Sequence, residues 1–424
     1  MAIRHPTYDA VVVGAGPGGS VAALELARCG ARVALIDKAR FPRDKACGDL
    51  IGPRGVALLG KLGIAPDGAV PVGDMAVIGP SGGRVVLPAV SGRTYPATAQ
   101  ALPRKSFDDV LYRAAIDAGA EGITARVQGV EVDKGEALVQ LGGRGCLRAG
   151  TVIGADGATS TVAAALDMVR RDRVHWGFAI RTYLRAEVGL PVIILLDEEP
   201  GVGFPGYGWL FPGPNGLANA GVGVATGADR RAGVHATRRL DAFLQYLRDL
   251  GLLSEHAVAG QRLGGWLNMG MLGTTPAAGP VILVGDAAGL VNPLQGEGIA
   301  QALESGAMAA SAVANRGNGA ASAYNQWLRH CHSSYQGSTA ALQGFLLGRP
   351  RTVSLLGRLL TWPPLGDRLA SGWALYWNDL VSGGPPGNAV AIARMAGGAI
   401  RGATAASASR RELDRALKGR PNNK

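Results

Sequence analysis

The chain has 424 residues, too many for one simple core, so we expect two domains and an appendage. Its 47% apolar content and its 65 glycines, which show no collagen-like period, indicate a globular protein, and the lack of any run of 18 apolar residues argues against a membrane-spanning helix. The net charge is +11, and the four scattered cysteines argue against a disulfide framework or a metal site and favour a cytoplasmic compartment.

A strand–helix–strand unit opens the chain. Asp9–Val13 is a short apolar, β-branched run that ends in glycines, and Ser20–Cys29 is an alanine- and leucine-rich segment typical of a helix. Ala31–Ile36 is a second apolar run, which ends at Asp37. This order predicts two neighbouring parallel strands joined by a helix.

The same alternation returns further along the chain. Helical spacing predicts helices over Ser106–Ala118 and Gln295–Ala314. Apolar runs predict strands over Glu121–Val132, Thr151–Gly154 and Val281–Val284.

Two stretches between these elements have a different pattern of apolar and polar residues. Residues 68–103 and 163–274 alternate apolar and polar positions between Gly/Pro turns, which predicts an antiparallel sheet. We therefore expect an α/β protein in which this inserted substrate domain twice interrupts a Rossmann-like domain. The expected boundaries are 1–67, 104–162 and 275–330 for the Rossmann-like domain, 68–103 and 163–274 for the substrate domain, and 331–424 for a C-terminal helical region with a basic tail.

The basic residues concentrate near the C-terminus, where residues 345–424 hold 12 basic and four acidic residues. Such a tail suits an anionic membrane surface, and it is equally compatible with a solvated tail. Aromatic and leucine residues between Phe345 and Trp377 are interleaved with arginines, which suits peripheral association with the inner face of a membrane or a helical cap on the body. The basic residues form no recognisable nucleic-acid module, so we expect no nucleic-acid partner.

The first motif is a glycine-rich turn at residues 14–19, between the first strand and the first helix. Gly14 permits a tight turn, Gly16 lets the backbone approach a pyrophosphate, and Gly19 lets the helix pack closely. The helix N-terminus adds free N–H groups and a partial positive charge. Asp37 ends the second strand, where it is placed to accept ribose hydroxyls of an adenosine cofactor.

Two later motifs also place an aspartate after a buried strand. Ile153–Ser160 contains Asp156, and Val281–Ile299 contains Asp286 and a second glycine-rich loop that ends at Gly298. An aspartate delivered into such a loop suits a ribityl chain, and the helix that follows would aim its positive end at the flavin ring. In this order, the three motifs predict an FAD site.

The three motifs resemble the flavoprotein superfamily of p-hydroxybenzoate hydroxylase. Within it, Phe41–Asp49 (FPRDKACGD) and Tyr207–Pro212 (YGWLFP) are similar to the geranylgeranyl reductase family, and the likeness extends from about Tyr8 to Arg329. The resemblance implies an FAD enzyme that reduces carbon–carbon double bonds in the isoprenoid chain of a prenyl diphosphate, prenyl lipid or prenylquinone. It also implies an electron donor, NADPH or another reductant.

The resemblance also implies a set of flavin contacts. The positions that match flavin contacts are Gly18, Asp37, Cys47, Gly48, Arg104, Val127 (through its backbone), Asp286, Gly298 and Ile299. This sequence departs from the pattern at Ala163, where many relatives carry an arginine, and this leaves the docking of a nicotinamide open. Arg104 precedes a helix, where its planar fork would neutralise a pyrophosphate.

Three candidate catalytic residues follow from the two family motifs. Tyr207 and Trp209 alternate with Phe211, so on a strand these rings point the same way and would form one wall of an apolar pocket. Cys47 would place its thiol beside the reacting face. Tyr207, Cys47 or an ordered water would supply the proton. We assign no role to the histidines and expect His330 and His332 at a helix surface.

Two other functions remain open at this stage. A monooxygenase or halogenase of the same fold would act on a hydrophobic substrate with oxygen, although residues 73–84 carry no lysine of the halogenase type. A prenyl-group carrier without flavin is the non-enzyme alternative, and Asp37, Arg104 and Asp286 argue against it.

Overall fold

The computed structural model describes residues 7–89, 97–143, 145–196, 206–227, 235–347 and 349–368. The strands are β1 (Thr7–Val13), β2 (Val33–Asp37), β3 (Leu50–Ile51), β4 (Val70–Val72), β5 (Met75–Ile78), β6 (Arg84–Leu87), β7 (Ala99–Ala101), β8 (Glu121–Thr124), β9 (Val127–Asp133), β10 (Glu136–Leu141), β11 (Gly145–Gly154), β12 (His175–Arg185), β13 (Val192–Leu195), β14 (Gly206–Pro212), β15 (Leu217–Gly227), β16 (Leu263–Met269), β17 (Ala277–Ala278) and β18 (Val281–Leu283). The α-helices are α1 (Pro17–Arg28), α2 (Pro53–Leu62), α3 (Arg104–Asp117), α4 (Thr161–Ala165), α5 (Ala236–Asp249), α6 (Ile299–Arg316), α7 (Ala320–Leu328), α8 (Ser334–Leu346) and α9 (Pro350–Leu360).

The first sheet has eight strands in the order β17-β18-β11-β1-β2-β8, with the hairpin β9–β10 attached to β11. Strand β1 pairs in parallel with β11 and β2, and β18 and β8 extend the parallel arrangement on either side. The carboxyl ends of β1, β11 and β18 therefore lie at one edge, where the three glycine-rich motifs begin.

Helices α1 and α6 cross closely above this sheet. A Cβ on Gly306 of α6 would lie 2.1 Å from the carbonyl oxygen of Gly18 in α1, and a Cβ on Gly18 would lie 2.8 Å from the carbonyl oxygen of Ala302. Only glycine fits at these two positions. The close crossing fixes the N-terminal ends of both helices relative to each other.

The second sheet has seven strands in the order β16-β12-β15-β14-β13-β5-β6. Helix α5 covers one face, where Leu240, Phe243 and Leu244 are buried against the strands. Side chains alternate along β14: a Cβ on Gly208 would clash with Phe243 of α5, so Trp209 points to the opposite face. That face lines a cavity described below.

These observations confirm the expected fold class, an α/β protein with Rossmann-like and antiparallel-sheet parts. The structure differs in detail from the antiparallel sheet that we expected for residues 68–103 and 163–274. Strand β5, which comes from the first of the two stretches, pairs in parallel with β13 from the second. A small third sheet, β3-β7-β4, also draws one strand from outside both stretches.

Two sequence expectations need correction. The run Glu121–Val132 forms two strands in different neighbourhoods, β8 beside β2 and β9 beside β10. His332 does not lie on a surface, because a π-helical turn at Arg329–Ser333 directs it inward, where it is 1% exposed and packs edge-on against Trp327. Burial lowers the pKa of His332 to about 4, so the ring is neutral.

The C-terminal region is helical as far as it is described. Helices α8 and α9 follow the π-helical turn, and residues 363–368 are also helical. The aromatic residues at positions 373, 376 and 377 and the basic tail lie outside the described residues. Within the described part of the chain, no helix combines the length and apolar character needed to cross a membrane.

Candidate flavin and substrate site

The glycine-rich turn after β1 forms a cradle at the start of α1. Gly14 has φ +99°, and a Cβ there would lie 2.4 Å from the carbonyl oxygen of Ala155, so the turn needs glycine. At Gly16, by contrast, a Cβ would meet nothing nearer than the guanidinium of Arg43, at 3.8 Å. The helix that follows has Gly16 as its N-cap, which supplies no side-chain hydrogen bond to the first turn. The open space and free N–H groups fit the pyrophosphate of FAD.

Gly18 and Gly19 act through packing. Gly18 faces α6, as described above, and a Cβ on Gly19 would lie 1.8 Å from the carbonyl oxygen of Gly14. Gly19 therefore keeps the turn compact, and Gly18 lets α1 approach α6.

Asp37 anchors the same turn. Its carboxylate accepts hydrogen bonds from the backbone N–H groups of Ala15 and Ala39, both at 2.9 Å. The guanidinium of Arg43 lies 3.9 Å from the carboxylate of Asp37 and also pairs with Asp108. Sequence reasoning missed Arg43, although it lies in the quoted Phe41–Asp49 motif, and it is the arginine nearest to Gly16.

Arg104 is buried and its planar fork is already paired. Its Nε and Nη2 atoms donate to the two carboxylate oxygens of Asp108, at 2.6 and 2.7 Å. The side chain also lines the cavity beside Cys47. The position that we expected to face a pyrophosphate is therefore occupied by an internal ion pair next to the thiol.

Two predicted cofactor contacts lie outside the cavity lining. Asp156 accepts hydrogen bonds from Ser160 Oγ (2.5 Å) and from the backbone N–H of Thr161 (2.6 Å), which fixes the start of α4. Val127 is the first residue of β9, and its side chain is buried in the core of the first sheet. The Asp156 side chain is therefore bound to the start of α4, and the Val127 side chain is part of the core.

The third motif reaches the cavity. Asp286 follows β18, Gly298 caps α6 without a side-chain hydrogen bond, and Ile299 opens that helix. All three line the cavity, and Lys45 Nζ lies 3.6 Å from the carboxylate of Asp286. In the first turn of α6 the backbone N–H of Ala300 donates to the Glu297 carboxylate, and Ala302 of the same helix lies against Gly18 of α1.

The aromatic residues of β14 form a continuous wall, as the alternation predicted. The ring centroids of Tyr207 and Trp209 are 6.0 Å apart, and those of Trp209 and Phe211 are 6.5 Å apart. All three rings line the cavity. A Cβ on Gly48 would lie 3.3 Å from the ring of Phe211, so this wall contacts the loop that carries Cys47.

Two proton donors proposed from the sequence have different surroundings. The hydroxyl of Tyr207 donates to the backbone oxygen of Gln295, and burial raises its pKa well above the usual value. Burial also raises the pKa of the Cys47 thiol, although Arg104 acts in the opposite direction. Both groups therefore keep their protons at neutral pH, and only the Tyr207 hydroxyl donates to an identified backbone acceptor.

A polar network that the sequence did not reveal supports this wall. Trp209 Nε1 donates to Asn219 Oδ1 at 2.9 Å, and Asn219 Nδ2 donates to the Asp49 carboxylate at 2.8 Å. The Tyr183 hydroxyl donates to the same carboxylate oxygen at 2.6 Å. Burial raises the pKa of Asp49 to about 6, with these hydrogen bonds opposing the rise. Asn219 lies on β15, and only the strand pairing brings it to Trp209.

These elements enclose a cavity of about 800 Å³, within the range of small-molecule sites. One end is formed by Pro17, Asp286 and Ile299, at the starts of α1 and α6 and in the loop between β18 and α6. The middle lies over the second sheet, which contributes small residues such as Gly177, Ala179 and Gly223 as well as the aromatic wall of β14. The other end, here called the apolar arm, is lined by Leu195, Leu342, Leu346, Val353, Leu356 and Leu360.

The structure brings together about half of the residues that the sequence singled out. The predicted residues that line the cavity are Cys47, Gly48, Arg104, Tyr207, Trp209, Asp286, Gly298 and Ile299. Those outside the lining are Gly14, Gly16, Gly18, Gly19, Asp37, Val127 and Asp156. Pro17, which follows the Gly16 cradle directly, is itself part of the lining, so the two groups adjoin.

Residues 7–328 match the family described as the FAD binding domain. A menaquinone reductase of Mycolicibacterium smegmatis is 36% identical to this chain over 369 residues, which cover 82% of this chain and 87% of that protein. A digeranylgeranylglycerophospholipid reductase of Methanopyrus kandleri is 32% identical over 317 residues, with coverage of 71% and 79%.

Solved structures share the fold. A geranylgeranyl bacteriochlorophyll reductase-like protein of Thermoplasma acidophilum superposes with a TM-score of 0.71 at 22% identity, covering 89% of this chain and 98% of that one. The flavin-dependent brominase Bmp2 has a TM-score of 0.67 at 20% identity, with coverage of 86% and 92%. The fold alone therefore does not separate reductases from halogenases. With the family match, the cradle at Gly16 and the more similar relatives together, the chain belongs to the FAD-dependent oxidoreductases of the geranylgeranyl reductase type.

Proposed function

We propose that this enzyme reduces carbon–carbon double bonds in a long isoprenoid chain. The observation that carries the proposal is the distribution of charge along the cavity. Lys45, Arg104 and Asp286 are the charged side chains in its described lining, and none of them belongs to the apolar arm. The arm suits a hydrocarbon chain, because burying apolar surface there is favourable and no charge loses its hydration.

The arm favours a prenylquinone over a prenyl diphosphate as substrate. Gln343 also lines the cavity, next to Leu342 of the arm, and the amide of Gln343 already donates to the backbone oxygen of Pro293. No cationic side chain of the described lining belongs to the arm, so a diphosphate inside the arm would lie without a cationic partner from these residues. The similarity to a menaquinone reductase supports the same choice.

When bound, FAD supplies the hydride for one carbon of the double bond, and a proton completes the other carbon. The chain excludes water with its apolar lining and holds the substrate against the aromatic wall. Cys47 retains a proton beside this wall, and we propose it as the proton donor. NADPH or another reductant is the proposed source of the electrons.

The test uses enzyme reduced with dithionite under anaerobic conditions. Prenylquinones, prenyl diphosphates and prenylated glycerol lipids are each incubated with it, and product masses are measured after the quinone ring has been reoxidised in air. We expect a gain of two hydrogens for each reduced double bond, largest for the prenylquinone. No gain with any of the three classes would contradict the proposal.

The alternative is a monooxygenase or halogenase acting on a hydrophobic substrate, and the shared fold with a brominase keeps it open. The two reactions differ in their need for oxygen. A hydroxylated or halogenated product that forms only when oxygen is admitted would favour the alternative, whereas saturated product without oxygen would favour the reductase.

A further inference from the structure

Helix α9 and the residues after it carry a cluster of exposed apolar side chains. Leu355 is 58% exposed and Trp362 is 56% exposed, with Leu356 and Leu359 at 40% each. The other exposed large apolar residues in the described part of the chain are scattered singly, which is ordinary for a surface. Leu355, Leu359 and Trp362 are four and three residues apart, so they share one face of the helix. We call Leu355, Leu356, Leu359 and Trp362 the α9 strip.

The opposite face of α9 is fixed to the body of the protein. A Cβ on Gly357 would lie 3.0 Å from Pro80, and Thr361 packs against Gly79 and Gly83 in the turn between β5 and β6. Val353 is buried. Because these contacts hold the inner face, the helix cannot rotate to bury its strip. The exposure of the strip follows from the way the helix is attached.

The strip has a basic border. Arg351 and Arg358 are exposed and each precedes a strip residue by four positions, Leu355 and Trp362. Between residues 349 and 368 the sequence has four arginines and one acidic residue. An apolar face bordered by cationic side chains is complementary to an anionic lipid bilayer, whose headgroups attract the arginines and whose acyl region accepts the leucines.

The strip is continuous with the cavity. Leu356 belongs to the exposed strip and also lines the apolar arm, and its neighbours Val353 and Leu360 line the same arm. One helix therefore separates the outer apolar surface from the inner one. A lipid chain that leaves a bilayer at the strip would meet Leu356, which is itself part of the lining of the arm.

We propose that the α9 strip docks on an anionic lipid bilayer and that long-chain substrate passes into the cavity beside Leu356. The docking rests on exposure and charge alone. The passage of substrate also rests on the proposed function.

Binding to vesicles tests the docking directly. The variant combines Leu355→Ser, Leu359→Ser and Trp362→Ser, none of which lines the cavity, and the control combines Leu250→Ser and Val258→Ser, which are exposed elsewhere. Full-length FAD-loaded protein is floated with phosphatidylcholine vesicles, with and without phosphatidylglycerol. We expect at least tenfold less bound variant than wild type on anionic vesicles and an unchanged control. Equal binding of variant and wild type would overturn the proposal.

Fluorescence quenching by brominated lipids locates the contact. Wild type and Trp362→Phe are compared on the same vesicles, so that the difference reports this one indole. We expect brominated lipids to quench the fluorescence that Trp362 contributes. If they did not quench it, the proposal would be overturned, because the strip would then not contact the lipid. Sedimentation in the absence of lipid decides a third case: a wild-type dimer that the triple variant abolishes, together with unchanged flotation, would assign the strip to a second copy and overturn the proposal.

Activity separates docking from chemistry. On a short prenyl substrate in solution, the triple variant should turn over within twofold of wild type, whereas on long-chain substrate embedded in vesicles it should lose at least tenfold. If wild type floats but reduces neither substrate, the docking stands and the proposed reaction fails. If the triple variant reduces embedded substrate as fast as wild type, passage at Leu356 is overturned.

Discussion

Asn219 Nδ2 donates a 2.8 Å hydrogen bond to the backbone oxygen of Cys47, although the two residues are 172 positions apart in the sequence. The other end of the same amide accepts from Trp209 Nε1. Asn219 therefore joins the aromatic wall to the loop that would lie beside the flavin. Because Asn219 does not line the cavity, we expect it to act by positioning its two neighbours.

Replacing Asn219 with alanine should impair catalysis more than cofactor binding. The change leaves the buried indole N–H of Trp209 and the Cys47 loop without their partner, and an unsatisfied buried group costs about 1–3 kcal/mol. We expect kcat to fall by about 10- to 100-fold with a smaller change in KM, and the absorption spectrum of the bound flavin to shift. Steady-state kinetics and flavin absorption measure both.

The matched control is Asn325→Ala. Asn325 Nδ2 donates to the backbone oxygen of Ala277 at 2.9 Å, and neither residue lines the cavity, so the lost hydrogen bond is comparable in kind. If both variants lost kcat equally, the effect of Asn219 would be on stability rather than on position.

Asp49 should give stability an unusual dependence on pH. Burial raises its pKa from 3.8 to about 6, so between these values the folded protein binds more protons than the unfolded chain. Stability contributed by the protonated carboxyl is then lost as pH rises, by up to about 3 kcal/mol between pH 4 and 7. Asp49→Asn lacks the titrating group. The difference in free energy of unfolding between wild type and Asp49→Asn, from urea titrations at four pH values, should fall with increasing pH. A difference that rises with pH would indicate a lowered pKa instead.

Gly16→Val should abolish FAD binding without unfolding the protein. The side chain would enter open space in the folded chain, and that space is the cradle proposed for the pyrophosphate. We expect FAD affinity to fall by at least 100-fold, measured by fluorescence titration of apoprotein, with an unchanged circular dichroism spectrum. Gly60→Val is the control, because a Cβ at Gly60 also meets nothing within 4 Å but lies away from the three motifs. Retention of FAD by Gly16→Val would remove the cradle from the account.

Leu346→Trp should shorten the substrate that the enzyme accepts. Leu346 lines the apolar arm, so a larger side chain would fill part of it. Substrates with long prenyl chains should lose at least tenfold in kcat/KM, while a ten-carbon substrate should change little. Leu250→Trp, at an exposed position, should leave both unchanged. Equal losses on long and short chains would mean that the arm does not hold the chain.

Much of the fold was predictable because its signals are local. The glycines at positions 14, 16 and 19 follow an apolar run and open a helix, so strand, turn and helix can be read from one segment. Alternation on β14 likewise predicted that Tyr207 and Trp209 share a face, since the period of a strand is two residues.

The parts that the sequence did not predict depend on pairing between distant segments. Asn219 meets Trp209 only through the register of β14 against β15, in which Trp209 pairs with Gly221. Gly221 leaves room for the indole, since a Cβ there would lie 2.2 Å from the ring. The ion pair of Arg104 with Asp108 is local, and it was missed because the helix was expected to begin at Ser106. The helix begins at Arg104, which places Asp108 one turn away. His332 is buried because of the π-helical turn at Arg329–Ser333, which no pattern in the sequence predicted.

A single turnover without oxygen shows directly whether the enzyme reduces the prenyl chain. Enzyme carrying one equivalent of reduced FAD is mixed with excess prenylquinone, the ring is reoxidised in air, and the side chain is analysed by mass spectrometry. We predict one saturated double bond, a gain of two hydrogens in the prenyl chain, for each equivalent of enzyme. An unchanged prenyl chain, with electrons delivered only to the quinone ring, would contradict the account.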